Sequence, residues 1–271
     1  MKKNTLLIFA IFFGMLLLAA CGSSESSSGS DGNSDSSGEE GNSEEESNHY
    51  IVATEPNFHP FEFMNTETGK MEGFDIDLMN AIAEEAGFTV EFETMEFDGV
   101  LGGMRTGKYP LAISGISITD ERKEEIDFSD KYLDSGLILV VPEDSDIQSI
   151  DDVDGLKVGA QTGATSEIYL NENTDAEVSA FPEIVTAYQD LQQGRLDAVL
   201  YDLPNAQYYI KENPDAGLKT VGDLLQGEPY GIAFPKGSDL VEPVNEALAA
   251  LKENGKYEEI YKKWFGTEPP E

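Results

Sequence analysis

The chain cannot form an internal disulfide bond. Its 271 residues include a single cysteine, Cys21, so the fold must be stabilised without covalent cross-links. The only histidines are His49 and His59, and no metal-ligand spacing accompanies them. A Walker-type phosphate loop and the Asp-x-Asp-x-Asp-Gly spacing of a calcium loop are also missing. We therefore expect neither a metal nor a cofactor.

Basic residues are also scarce. Lys and Arg number 17 against 53 Asp and Glu, which gives a formal net charge of −36. Such a surface repels phosphate backbones and anionic headgroups, so nucleic acid and anionic lipid are excluded as partners. The acidic excess does not argue against binding of a small ligand. We interpret it as adaptation to high salt or high external pH.

The N-terminus has the pattern of an export signal. Two lysines precede an apolar stretch from Leu6 to Ala20, which is too short for a stable membrane span. We expect residues 1–20 to be a signal peptide. The sequence Leu18-Ala19-Ala20-Cys21 resembles the lipobox of bacterial lipoproteins, which implies a lipid on Cys21. The alternative is an ordinary cleaved signal followed by an unrelated cysteine.

A tether is predicted at residues 21–48. After Cys21 this segment contains only Ser, Gly, Asn, Asp and Glu. No side chain of these types offsets the entropy of ordering, so we expect disorder. A flexible coil of this length has an end-to-end distance of roughly 25–30 Å, and its acids should extend it further.

The remaining part of the chain alternates between strand and helix patterns. This alternation predicts an α/β architecture with helices packed on central sheets. In such sheets ligands bind beyond the carboxyl ends of strands, which points to the segments after Thr54, Ser114 and Tyr201. The predicted strands are Tyr50–Thr54, Phe88–Glu93, Leu111–Ser114, Leu156–Ala160 and Leu196–Tyr201. The predicted helices are Phe74–Ala86, Phe97–Thr106, Leu203–Lys211, Asp239–Asn254 and one from Pro182 to Gly194, with a further start near Asp120.

The segment from Ser114 to Arg122 is a candidate carboxylate site. Gly115 lets the backbone turn, Thr119 suits a helix N-cap, and free N–H groups with the Ser117 hydroxyl can hold an anion. The planar fork of Arg122 matches a carboxylate with two parallel hydrogen bonds. The alternative is an Arg122 paired with an acidic neighbour on the helix surface, Glu121 or Glu125.

Two later segments complete a set that fits a free amino acid. Gln161–Glu167 is a second strand-to-helix junction with hydroxyl groups, although Thr165 or Ser166 there can equally serve as an N-cap. Asp202 follows a buried strand and can accept from an ammonium group, although it too can be an N-cap. Phe58 and Phe97 suit either apolar pocket walls or the core.

From Tyr50 to Glu271 the chain resembles the family 3 extracellular solute-binding proteins of ABC importers, and most closely the glutamine-binding proteins. The resemblance implies a two-lobed type II periplasmic-binding fold with two hinge crossings. Lobe 1 is expected over 50–131 and 230–271, and lobe 2 over 137–226. The matching stretches are Val52–Thr54, Pro60–Phe63, Gly73–Leu78, Ile118–Lys123, Ile126–Asp130, Asp197–Val199, Tyr230–Ser238 and Tyr261–Gly266.

By position, the resemblance implies a set of amino-acid contacts. Phe58 and Phe97 correspond to aromatics that sandwich the ligand side chain. Five other positions correspond to contacts with the carboxylate and ammonium groups of the ligand. They are Gly115, Ser117 and Arg122 of lobe 1, and Thr165 and Asp202 of lobe 2.

Three further positions correspond to those that read the ligand side chain. They hold Glu55, Gln161 and Tyr201, where Asp, Lys and His are expected in glutamine-binding proteins. Glu55 and Gln161 can together supply an acceptor and a donor to a glutamine amide, so glutamine is the preferred ligand. Glu55 can also attract lysine or arginine, which is the alternative, and should repel glutamate.

The resemblance implies transport without chemistry on the ligand. The partners are a free L-amino acid and an ABC permease with its ATPase, and the protein is expected to be a monomer on the outer face of a single-membrane bacterium. The other possibilities are a dehydratase or a receptor ectodomain on the same fold. Against a receptor, the sequence continues only to Glu271 with no further membrane segment.

Overall fold

A computed structural model describes residues 48–269 of the chain. The predicted signal peptide, Cys21 and nearly all of the predicted tether lie outside the described residues. Within residues 48–269, no helix combines the length and the apolar character that a membrane span requires.

Thirteen strands and eight α-helices make up the described part, in chain order. The first half comprises β1 His49–Thr54, β2 Asn57–Phe58, β3 Glu62–Asn65, β4 Lys70–Glu72, α1 Phe74–Ala86, β5 Thr89–Thr94, α2 Phe97–Thr106, β6 Leu111–Ala112, α3 Asp120–Glu125, β7 Ile126–Phe128 and β8 Leu137–Pro142. The second half comprises β9 Lys157–Gln161, α4 Thr165–Asn173, β10 Glu177–Phe181, α5 Ile184–Gln192, β11 Ala198–Asp202, α6 Leu203–Glu212, β12 Leu218–Leu225, β13 Ala233–Pro235, α7 Val241–Glu253 and α8 Lys256–Phe265.

The first large sheet has the strand order β5-β1-β6-β13-β7. Strand β1 runs parallel to both β5 and β6, whereas β13 runs antiparallel to β6 and β7. Val52 and Ala53 in the middle of β1 are fully buried, because helices cover the sheet. The carboxyl ends of β1 and β6 therefore lie side by side, which brings Glu55 next to Ser114.

The second large sheet has the order β10-β9-β11-β8-β12. Strands β10, β9 and β11 are parallel, and β8 and β12 are antiparallel to their neighbours. Its strands all lie between residues 137 and 225, while those of the first sheet lie on either side of that range. We call the two parts the first-sheet lobe and the second-sheet lobe. The predicted α/β class with mixed sheets is confirmed, and the residue bounds of the lobes stay a prediction.

Helix ends agree closely with their sequence signals. Helices α1 and α2 have the predicted bounds, and each is followed by a glycine in the left-handed conformation, Gly87 and Gly107. The C-terminal helix α8 was missed. It begins directly after Gly255, whose φ of 82° both ends the preceding helix region and redirects the chain. Strand β11 extends one residue further than predicted, so that Asp202 is its last residue.

Candidate ligand-binding site

A small, nearly closed cavity of about 10 Å³ lies where the two lobes face each other. This space holds about one water molecule, so the side chains around it lie close together. Nine of the ten predicted contact residues line it, together with two that the sequence reasoning missed. The lining is Glu55, Phe58, Phe97, Ser114, Gly115, Ser117, Arg122, Ala164, Thr165, Tyr201 and Asp202.

Arg122 points into the cavity and not along the helix surface. Thr119 is the N-cap of α3, as predicted, and its hydroxyl accepts from the Arg122 backbone N–H at 3.1 Å. The guanidinium is buried and donates to the carbonyl oxygens of Ser117 at 3.0 Å and Gly163 at 3.1 Å. Burial lowers the pKa of Arg122 to about 10, so the group stays charged at neutral pH.

The alternative pairing of Arg122 with a surface acid is not what the structure shows. Glu125 instead pairs with Arg105. The Arg122 guanidinium carbon lies 5.6 Å from the centre of the Phe97 ring, within reach of a cation–π interaction. Two of the five N–H groups of Arg122 are used on carbonyls, so a ligand carboxylate can accept from the others.

Asp202 supplies a negative charge from the second-sheet lobe. It stands at the N-cap position of α6, but its side chain makes no capping hydrogen bond and instead accepts from the Tyr230 hydroxyl. Burial raises the pKa of Asp202 to about 6, and the Tyr230 bond and the charge of Arg122 oppose that rise. The carboxylate is therefore mainly ionised at neutral pH and suited to an ammonium group.

The loop around Thr165 differs from its expected capping. Ala164 is the N-cap of α4, and Thr165 is the first helical residue. The alternative, with Thr165 or Ser166 as the N-cap, is not what the structure shows, and Gly163 just before this cap has a φ of 77°. The Gly163 N–H donates to the Glu167 side chain at 2.7 Å, which closes the turn.

Aromatic rings form the apolar walls and belong to the core as well. Phe58 stacks on Phe61 at 4.9 Å between ring centroids and meets the edge of Tyr201 at 5.7 Å. Gly115, with φ 51°, closes against Phe58: a Cβ there would lie 2.3 Å from the Phe58 ring. Only glycine permits this packing.

Glu55 is a further acid of the cavity lining, and neither Arg122 nor Asp202 is among the groups that shift its pKa. By position it is one of the residues expected to face a ligand side chain. It follows β1, it is 2% exposed, and its backbone N–H donates to Ser114 Oγ at 3.0 Å. Burial raises the pKa of Glu55 to about 8, and the nearby Glu183 and Glu96 add to the rise. A hydrogen bond from Gln161 lowers it without restoring the ordinary value.

Gln161 lies behind Glu55 and outside the cavity lining. Its Nε2 donates to Glu55 Oε1 at 2.7 Å and to the Pro182 carbonyl at 3.1 Å. Its Oε1 accepts from the Tyr201 hydroxyl. Both amide hydrogens are thus used within the protein, and Gln161 has no donor to spare for a ligand.

Cross-lobe contacts beyond the cavity escaped the sequence reasoning. Asn57 Nδ2 donates to Glu183 Oε1 at 2.8 Å, and Asn205 Nδ2 donates to the His59 carbonyl at 2.7 Å. They join segments more than a hundred residues apart, and no local pattern marks them. Within residues 48–269, no three His, Cys, Asp or Glu side chains are arranged to hold a metal ion.

Sequence comparisons identify a family. The model of the bacterial extracellular solute-binding proteins, family 3, matches residues 50–267. The probable histidine-binding protein of Neisseria gonorrhoeae is 35% identical over 81% of this chain and 84% of its own. The arginine-binding periplasmic protein of Mannheimia haemolytica is 34% identical over 80% of this chain and 91% of its own.

Two solved structures of ancestral arginine-binding proteins share the fold. One, bound to arginine, has a TM-score of 0.77 and 46% identity, covering 81% of this chain and 99% of the other. The other, bound to glutamine, has a TM-score of 0.75 and 45% identity, with the same coverage.

Proposed function

The chain belongs to the bacterial extracellular solute-binding proteins, family 3, and on that premise we propose that its cavity takes an amino acid with a cationic side chain, arginine first and lysine second. In general terms, the protein is an amino-acid-binding component of an ABC transporter. The preference for a cationic side chain rests on one observation: the Gln161 side chain is fully used in hydrogen bonds to Glu55, Tyr201 and Pro182.

Charge balance in the cavity favours a cation. Arg122 suits the ligand carboxylate and Asp202 suits its ammonium group, so these four charges cancel. Glu55, which is 2% exposed, is left without a positive partner, and burial therefore raises its pKa to about 8. An unpaired charge is costly in such surroundings, and a guanidinium or ammonium on the ligand side chain removes that cost.

Glutamine is a second candidate, because a related ancestral arginine-binding protein has been solved with glutamine bound. With Gln161 occupied, the donor to the glutamine side-chain oxygen would have to be a protonated Glu55. The raised pKa of Glu55, about 8, makes that form the main one near neutral pH. Glutamine would then bind the protonated form of Glu55, whereas a cationic ligand requires Glu55 to release its proton.

The wider setting follows from the family and the leader sequence. We propose export, lipidation at Cys21 and delivery of the amino acid to an ABC permease and its ATPase by a monomer that closes around its ligand. A lipid would keep the protein at the surface of a bacterium that lacks an outer membrane. Palmitate labelling of the wild type and of Cys21→Ala tests the anchor: label that persists in the variant would contradict it.

Isothermal titration calorimetry with paired ligands tests the side-chain proposal. Arginine and citrulline have nearly the same shape, but only arginine is charged. We expect arginine to bind at least roughly tenfold more tightly than citrulline or glutamine, the difference that one buried charge-assisted contact supplies, and glutamate to bind least. Equal binding of arginine and citrulline, or a preference for glutamine over both basic amino acids, would overturn it.

A further inference from the structure

Two carboxyl side chains lie buried behind the cavity. Glu62 begins β3, Asp75 is in the first turn of α1, and both have no exposed surface. Neither lines the cavity, and ligand contact does not account for them. Fully buried acids are rare unless they are paired, so this arrangement calls for a physical reason.

Each acid is one hydrogen bond away from the ligand site. Ser114 Oγ donates to Glu62 Oε1 at 2.7 Å and itself accepts from the Glu55 backbone N–H at 3.0 Å. The Gly115 N–H donates to Asp75 Oδ2 at 2.9 Å. The two acids therefore hold the Ser114 side chain and the Gly115 N–H directly, and the Glu55 N–H through Ser114.

The remaining oxygens of the pair require a proton. Glu62 Oε2 and Asp75 Oδ1 are both buried and accept no hydrogen bond from a third residue. A hydrogen bond between the two side chains adds to the burial that raises the pKa of Glu62, and it opposes the burial that raises the pKa of Asp75. Two carboxylate oxygens repel each other, whereas one proton between them makes a hydrogen bond.

The surroundings place the proton on Glu62. Asp75 Oδ2 accepts two hydrogen bonds, from Gly115 and from the Tyr132 hydroxyl at 2.8 Å, and it lies at a helix N-terminus. Burial raises the pKa of Asp75 to about 6, and burial with the charge of Asp75 raises the pKa of Glu62 well above its usual range. The titratable groups acting on the pair or feeling its charge are Glu55, Tyr132, Tyr230 and Tyr257, all of them carboxyl or phenol groups.

We infer that Glu62 and Asp75 share a single proton held by Glu62, and that this pair positions Glu55 and the Ser114–Gly115 turn for amino-acid binding. Both are positioning residues, since they act through Ser114 and through backbone N–H groups. The inference rests on amino-acid binding by this cavity and not on which side chain is preferred.

A double-mutant cycle tests the shared proton. In Glu62→Gln an amide hydrogen replaces the proton, and in Asp75→Asn an amide hydrogen can point at an ionised Glu62. We expect each single variant to bind its amino acid within about threefold of the wild type. In the double variant two NH₂ groups face each other without an acceptor, so affinity should fall roughly tenfold beyond the product of the single effects, with a lower Tm. Additive effects, or a Glu62→Gln variant that does not fold, would overturn the inference.

The pH dependence of stability supplies a readout that does not depend on the ligand. The native pKa of Glu62 lies above its unfolded value, so the native state holds a proton that the unfolded state releases. Stability is complete below the unfolded pKa and falls as pH rises toward the native one. Glu62→Gln should reduce this loss of stability with rising pH, whereas the exposed control Glu67→Gln should not. Identical pH profiles for the wild type and Glu62→Gln would contradict the shared proton, even if the proposed ligand proved wrong.

Discussion

The two ends of the cavity differ in the charged residues that line them. At one end Arg122 and Asp202, from opposite lobes, carry opposite charges, which we propose bind the carboxylate and ammonium groups shared by all amino acids. At the other end Glu55 accepts a hydrogen bond from Gln161, and the nearby charges that act on it are the acids Glu183 and Glu96. On this proposal the first end holds any free amino acid, and the second discriminates among side chains through Glu55.

The largest loss of ligand affinity is expected at the end that contacts the groups common to all amino acids. Arg122→Ala removes the guanidinium fork and leaves Asp202 without its positive neighbour, which typically costs about 2–5 kcal/mol or more at a buried charged contact. Calorimetry should show loss of measurable binding for every amino acid alike. The control is Arg105→Ala, which removes a surface arginine that pairs with Glu125. A folded Arg122→Ala protein, judged by circular dichroism, that binds normally would refute the assignment.

A selective effect is expected at the other end. Glu55→Gln removes the charge and keeps the shape, so arginine affinity should fall roughly 10- to 100-fold, while glutamine affinity should change little or improve. Competition between the two ligands measures the ratio directly.

The matched control is Glu96→Gln. Glu96 is exposed and adds to the raised pKa of Glu55 from outside the cavity. It should leave the arginine-to-glutamine ratio nearly unchanged. If both ligands lose affinity equally in Glu55→Gln, the two ends do not differ as described.

The smallest effect is expected from a contact that belongs to neither end. Asn205→Ala removes the cross-lobe hydrogen bond to the His59 carbonyl, a contact available only when the lobes meet. One such bond contributes about 1 kcal/mol, so every ligand should weaken by about fivefold with no change in preference. Gln207→Ala, exposed on the same helix, is the control. A ligand-dependent loss would place Asn205 in the selective part of the site.

Much of the difference between the two cavity ends was predictable from the sequence, because local patterns mark the residues of the first end. Asp202 ends the buried strand β11, and Arg122 lies in the short helix α3 that comes after the buried strand β6. Both segments lie beyond the carboxyl ends of strands, where ligands bind in α/β sheets. The orientation of Gln161 was not predictable, because it depends on Glu55 at a separation of 106 residues. Glutamine was favoured from the sequence because the Gln161 amide was taken to be free for the ligand. In the structure both of its hydrogens are donated to Glu55 and Pro182. The pairing of Glu62 with Asp75 likewise depends on β3 packing beside α1.

Proton exchange on binding tests the central claim about Glu55 most directly. Burial raises its pKa from the ordinary value of 4.5 to about 8 when no cation compensates it. The unliganded site therefore already holds this proton at pH 7, so a glutamine complex should exchange almost none, and glutamine affinity should fall as pH rises above about 8. An arginine complex should release most of one proton, because the guanidinium stabilises the ionised carboxylate of Glu55. Titration in buffers of different ionisation enthalpy counts these protons, and equal exchange for the two ligands would contradict the account.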